Sequence, residues 1–134
     1  MIKRIENKKK LIALIVDTND LNPGLNFITE PDSILQMGIM NHPKGHEIIP
    51  HVHQPVLRKT ISTKEVIFVQ KGKVSVDLFT DDKIFITNEI LVEGMWIALL
   101  GGGHGFKMLE PSILVEVKNG PYVGDKDKTR FTVG

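Results

Sequence analysis

His51 and His53 stand one residue apart, a pairing suited to chemistry. On a β-strand, side chains two positions apart share a face, with alpha carbons roughly 7 Å apart, so two imidazoles can converge on one ion. Glu65 opens the apolar run 66–69, and His104 opens a further strand-like stretch directly after Gly101-Gly102-Gly103. All four residues fall at or near predicted strand ends, where they could converge inside a barrel. Three neutral imidazoles and a carboxylate form a nitrogen/oxygen donor set suited to Fe, Mn, Co, Ni or Zn, with coordination positions left for water or substrate. The chain has no cysteine. Thiolate metal sites, disulfides and a cysteine nucleophile are therefore excluded, and any metal is held by histidine nitrogen and by carboxylate or carbonyl oxygen.

The elements that would position these residues are short. Apolar stretches at 11–16, 24–28, 34–40, 47–50, 57–62, 65–71, 73–80, 83–87, 90–92, 95–100, 104–109 and 112–118 are separated by Gly, Pro, Asn and Asp clusters, and no long helical stripe occurs. Such spacing predicts about ten short strands in an antiparallel sandwich or barrel. Val74, Val76 and Leu78 alternate with Ser75 and Asp77, the pattern of a strand wet on one face. Gly72 leaves room only for a tight hairpin between the strands on either side. The turn Asp17-Thr18-Asn19-Asp20 ends the first strand. The segment 119–134 is turn-rich and charged but carries Tyr122 and Phe131, so two readings stand: a floppy tail, or a tail packed over the barrel mouth or a partner subunit.

With 134 residues the chain has the size of one domain, able to bury a core without staples. Hydrophobic residues make up 41% and charged residues 25%, an ordinary soluble balance, and a net charge of +1 offers no footprint for nucleic acid. The run Lys8-Lys9-Lys10 reads as solvated lysines ahead of a strand. The apolar stretch 11–16 behind the basic start is too short to span a membrane. These features lead us to expect a cytoplasmic protein that binds neither nucleic acid nor membrane.

Gly45, His51, His53, Glu65 and Gly72 follow a particular order: a glycine, five residues, His-X-His, a spacer, Glu, six residues and a glycine. This closely resembles the first motif of the cupin superfamily, although the eleven-residue spacer 54–64 is longer than usual in that family. The second cupin motif is degenerate. Gly101 and His104 match it and Gly94 stands one residue away from the expected start, whereas Leu99 replaces the usual proline and Met108 the usual asparagine. The resemblance covers roughly 34–118 and extends to a group of small bacterial cupins. It implies an all-β double-stranded β-helix, or jelly-roll barrel, over 1–134, with added N-terminal strands at 11–30. It also implies one divalent transition metal (Fe, Mn, Ni or Zn) held by His51, His53, Glu65 and His104.

Other residues invite roles in binding. Arg58 and Lys59 lie in the spacer and could meet an anionic substrate. Lys107, on the strand that His104 opens, is expected to share the ligand's face, and Trp96 and Phe106 are candidate pocket walls. His42 and His46 read as rim or surface positions, and Glu110 as an outer one. A metal here could act as a Lewis acid or oxygen-activating centre on a small polar molecule such as a sugar derivative or oxo-acid, in a dioxygenase, isomerase or decarboxylase. The alternative is a non-catalytic module that binds or senses a small molecule. Exposed edges suggest a homodimer in which strands 11–16 and 24–28 cover those edges across a two-fold axis, and cupins are often dimeric.

Overall fold

Val74, Val76 and Leu78 are fully buried, while Ser75 and Asp77 between them are only partly so. The strand they form is therefore covered on one face, and what covers it is a second sheet. The computed structural model describes residues 1–19 and 21–133; Asp20 of the predicted exit turn and Gly134 at the end of the tail lie outside the described residues.

The strands are β1 (Ile2–Asn7), β2 (Lys10–Asp17), β3 (Gly24–Phe27), β4 (Gly38–Asn41), β5 (Glu65–Lys71), β6 (Lys73–Phe79), β7 (Phe85–Val92), β8 (Met95–Leu99), β9 (Gly103–Met108) and β10 (Ile113–Lys118). A 3-10 turn follows at Gly124–Asp127. Pairing is antiparallel throughout, in a five-stranded sheet β1-β2-β8-β5-β10, a three-stranded sheet β7-β6-β9 and the ribbon β3-β4.

Ala13, Ile15, Ile67, Val69, Ile97 and Leu99 of the large sheet pack with Val74, Val76, Leu78 and Leu91 of the small one. Burying each such aliphatic side chain stabilises the fold by roughly 1.5–3 kcal/mol, which makes this shared layer the dominant cohesive element. The opposite face of the large sheet carries Leu14, Val66 and Ala98, covered by Ile28, Leu35 and Met37 from the segment that bears β3 and β4. The described strands thus form an all-β sandwich of separate sheets, with no continuous ring of strand pairing that closes a barrel.

Several sequence expectations change. The basic N-terminus forms an edge strand, β1, turned back onto β2 at Lys8 and Lys9, both at positive φ (47° and 66°). Strand 11–16 therefore lies inside the sheet between β1 and β8, and cannot cover an edge across a two-fold axis. The stretches 83–87 and 90–92 merge into β7, whose backbone continues through polar Asn88 and Glu89. The expected strand 34–40 shortens to β4. No strand forms at 47–50 or 57–62. Pro43, Pro50 and Pro55 remove three backbone donors from this region, and a ladder cannot propagate without them.

Gly72 is not a hairpin. It is a corner where the chain leaves the large sheet at β5 and enters the small sheet at β6. Its φ is +95°, and a Cβ there would lie 2.6 Å from the Pro111 carbonyl oxygen. Gly94, between β7 and β8, makes the return crossing at φ +90° in open space.

These two corners separate backbone strain from collision. Gly94→Ala should cost about 1–2 kcal/mol, the left-handed penalty alone, and Gly72→Ala about 1–3 kcal/mol more, from overpacking against the turn before β10. Urea unfolding of both variants measures the difference. Equal losses would show that the Gly72 corner relaxes freely.

Candidate site between the two sheets

Glu65 is the first residue of β5, opposite Leu99 of β8 in register. Its alternation with Ile67 and Val69 points it into the space between the sheets. His104 is the second residue of β9, opposite buried Leu78 of β6, and points inward from the other sheet. The two side chains meet at the open end of the sandwich, His104 Nε2 lying 3.3 Å from Glu65 Oε2. Phe106, two residues along the same face as His104, sets its ring edge-on to the imidazole at 5.8 Å and packs against the core.

The three glycines before His104 let the chain turn between β8 and β9. Leu100 and Gly101 both donate backbone N–H groups to the Ile12 carbonyl (2.9 and 3.1 Å), and Gly102 donates to Asp81 Oδ1 (3.2 Å). Asp81 is also paired with Lys10, whose hydrogen bond holds its carboxyl below the usual carboxylate range. Gly102 lies at φ +65°, and a Cβ there would run into the Phe79 carbonyl oxygen.

The Glu65–His104 pair forms part of the wall of an open cavity of about 1110 Å³. The tail builds the other side. Asn119 accepts the Lys64 N–H (2.8 Å) and donates to the Ser62 carbonyl (3.1 Å). Asp127 accepts from the Thr63 hydroxyl, and Phe131 packs edge-on against Phe79, with ring centroids 5.1 Å apart. Of the two sequence readings of this segment, packing over the mouth is the one observed. Tyr122, by contrast, points to solvent.

Electrostatics separates two carboxyls here. The hydrogen bond from His104 holds Glu65 below its ordinary range despite burial. Glu116 of β10 lies on the same side as Glu65; burial, then the Glu65 charge and a hydrogen bond to Glu65, push its carboxyl up. Burial, followed by the charge of Lys10, pushes the Lys64 ammonium down.

The sequence-predicted ligands form two pairs rather than one centre. Glu65 and His104 meet at the cavity. His51 and His53 lie on the exposed segment 42–64, their rings edge-to-face at 5.2 Å. His51 donates its Nδ1–H to the Ile49 carbonyl (2.8 Å), which leaves the Nε2 lone pair outward. Among the described residues no three His, Asp or Glu side chains gather at metal-ligating spacing. As arranged, two of the four predicted ligands meet at the cavity, short of a complete metal centre.

Arg58 and Lys59 are exposed on the same segment, and His42 stacks on His46 at 3.8 Å. Glu110 is exposed, as expected. Lys107 lies three residues beyond His104, an odd spacing. It therefore faces away from the core, opposite Ser75, and not toward the ligand's face. Trp96 also faces away from Glu65, stacked on Phe68 at 4.4 Å on the outer side of the large sheet. Sequence reasoning missed Glu116. Its strand alternates apolar Ile113, Val115 and Val117 with Leu114, Glu116 and Lys118, so alternation alone favours the face opposite to Glu116 as the inward one. Among the described residues no helix is long and apolar enough to cross a membrane.

Because Glu65 is held below its unfolded value, its pairing with His104 stabilises the fold above the ordinary glutamate range and ceases to do so as acid protonates Glu65. The melting temperature of wild type should therefore exceed that of Glu65→Gln near neutrality, and the gap should close as pH falls below about 4. A gap independent of pH would remove the charge from this account.

No family model matches the chain, and no curated protein or solved structure matches it.

Proposed function

We propose that this chain is a cupin-type double-stranded β-helix that binds one divalent transition metal and a small polar molecule in the cavity between its sheets. The observation that carries this reading is the Glu65–His104 contact, made by side chains from opposing sheets at the cavity. Residues 60–64, the C-terminal root of the segment bearing His51 and His53, line the same cavity. Closure of that segment would bring two imidazoles toward the existing pair. The apolar side chains it exposes, Leu57 at 99% and Ile61 at 89%, give closure a hydrophobic driving force. The connections support the jelly-roll reading: from β5 to β10 the chain changes sheet at every turn except β6–β7.

Elemental analysis of protein purified without a histidine tag or added metal tests the metal reading. About one equivalent of a single transition metal is expected. It should be lost in Glu65→Ala/His104→Ala and also in His51→Ala/His53→Ala. Retention in the second variant would confine binding to the cavity pair. Absence of metal from wild type after reconstitution would overturn the reading.

The homodimer reading draws on β10, an edge strand bonded only to β5, whose Ile113, Val115 and Val117 are exposed beside Phe68. A second copy that covered this stripe would bury apolar surface and occupy the free edge. Sedimentation should then give a dimer in wild type and a monomer in Val115→Lys/Val117→Lys. A monomeric wild type would rule the interface out.

A further inference from the structure

The cavity's carboxylates already have partners. Asp81 is held by Lys10 and the Gly102 N–H, Asp127 by Thr63, Asp77 by Asn88 Nδ2 at 2.6 Å, and Glu65 by His104. Of its cations, Lys10 is committed to Asp81, and the others are in the opposite position. Among the described residues, Lys64, Lys126 and Lys128 make no ion pair, and Arg130 makes only a long one, 3.9 Å, to Asp125, which is itself 98% exposed. A contact of that kind contributes almost nothing.

These cations are not carried on a loose tail. Asp127 on Thr63 and Phe131 on Phe79 fasten the chain on either side of Lys128-Thr129-Arg130. Gly103 leaves room for the Phe131 ring; a Cβ there would come within 3.3 Å of its tip. Asn119 fixes the backbone of Lys64 across the opening. A solvated charge run needs no such anchors, whereas a binding rim does.

We propose that the mouth of this cavity binds the anionic end of a small molecule, a phosphate or carboxylate group, on the cations that the anchored tail and Lys64 bring to its rim. Charge-assisted hydrogen bonds to Lys128 and Arg130 would orient the ligand, with its uncharged part directed toward Glu65 and His104. The inference rests on the cavity being the functional site, but anion binding at the rim requires no metal.

Calorimetric titration of chelator-treated protein with inorganic phosphate, and separately with malonate, tests it. At least one probe should bind, and the preferred one identifies the group. Lys128→Ala/Arg130→Ala should weaken binding about tenfold or more. Phe131→Ala, which keeps every charge but releases the anchor, should weaken it too. Lys71→Ala, which removes an exposed cation at the opposite end of β5 from Glu65, should leave it unchanged. Failure of both probes to bind wild type, unchanged binding in Lys128→Ala/Arg130→Ala, or equal loss in Lys71→Ala would overturn the proposal. Metal content separates the two readings: Lys128→Ala/Arg130→Ala should retain whatever metal wild type holds.

Discussion

The apolar layer shared by the two sheets is the constraint on which the remaining structure depends. Ile67, Val69, Ile97 and Leu99 from one side and Val74, Val76, Leu78 and Leu91 from the other are removed from water only while the sheets stay face to face. Consecutive strands that belong to different sheets must be joined by sharp corners, and three of these, at Gly72, Gly94 and Gly102, lie at positive φ. The burial of the core thus offsets backbone conformations that other residues adopt at a cost. The Glu65–His104 contact is a consequence of the same arrangement, since each sheet supplies one partner and neither sheet alone could hold both.

At the open end of the sandwich, polar groups replace aliphatic ones and the balance of forces changes. Burial opposes charge on Glu65, Glu116 and Lys64 alike, but only on Glu65 do the other interactions, the hydrogen bond from His104 first among them, outweigh that cost and shift the group toward its charged form. The result is a cavity whose lining carboxylates Asp77, Asp81, Asp127 and Glu65 have partners, a neighbouring carboxyl on Glu116 that retains its proton more readily, and cations around the rim. The tail contributes to the architecture as well as to the charge, because Phe131 completes an aromatic contact with Phe79 at the end of β6, the central strand of the small sheet.

The segment 42–64 shows how apolar composition and strand formation can part company. Ile48, Ile49, Val52, Val56, Leu57 and Ile61 have the character of strand residues, yet all are exposed. Three prolines interrupt the donors a ladder requires, and hydrophobicity alone supplies no register. The predicted face-sharing of His51 and His53 depended on that strand. What survives is their proximity, which follows from chain connectivity.

Local pattern was enough to determine a β-rich chain, the buried face of β6, most strand positions after residue 64, and the placement of Glu65 and His104 at strand starts. Each follows from side-chain alternation or from turn chemistry within a few residues. Tertiary structure decided which strands face one another: that Gly72 is a corner, that β1 occupies an edge beside β2, that Trp96 points outward and that the tail walls the cavity. Glu116 illustrates the reason. Alternation divides a strand into two faces, but which face is inward depends on the strand paired beside it and the sheet packed over it. Here the less apolar face of β10 turned inward because its register with β5 aligned it with Glu65 and Ile67. Such pairings link residues far apart in sequence, and no local pattern encodes them.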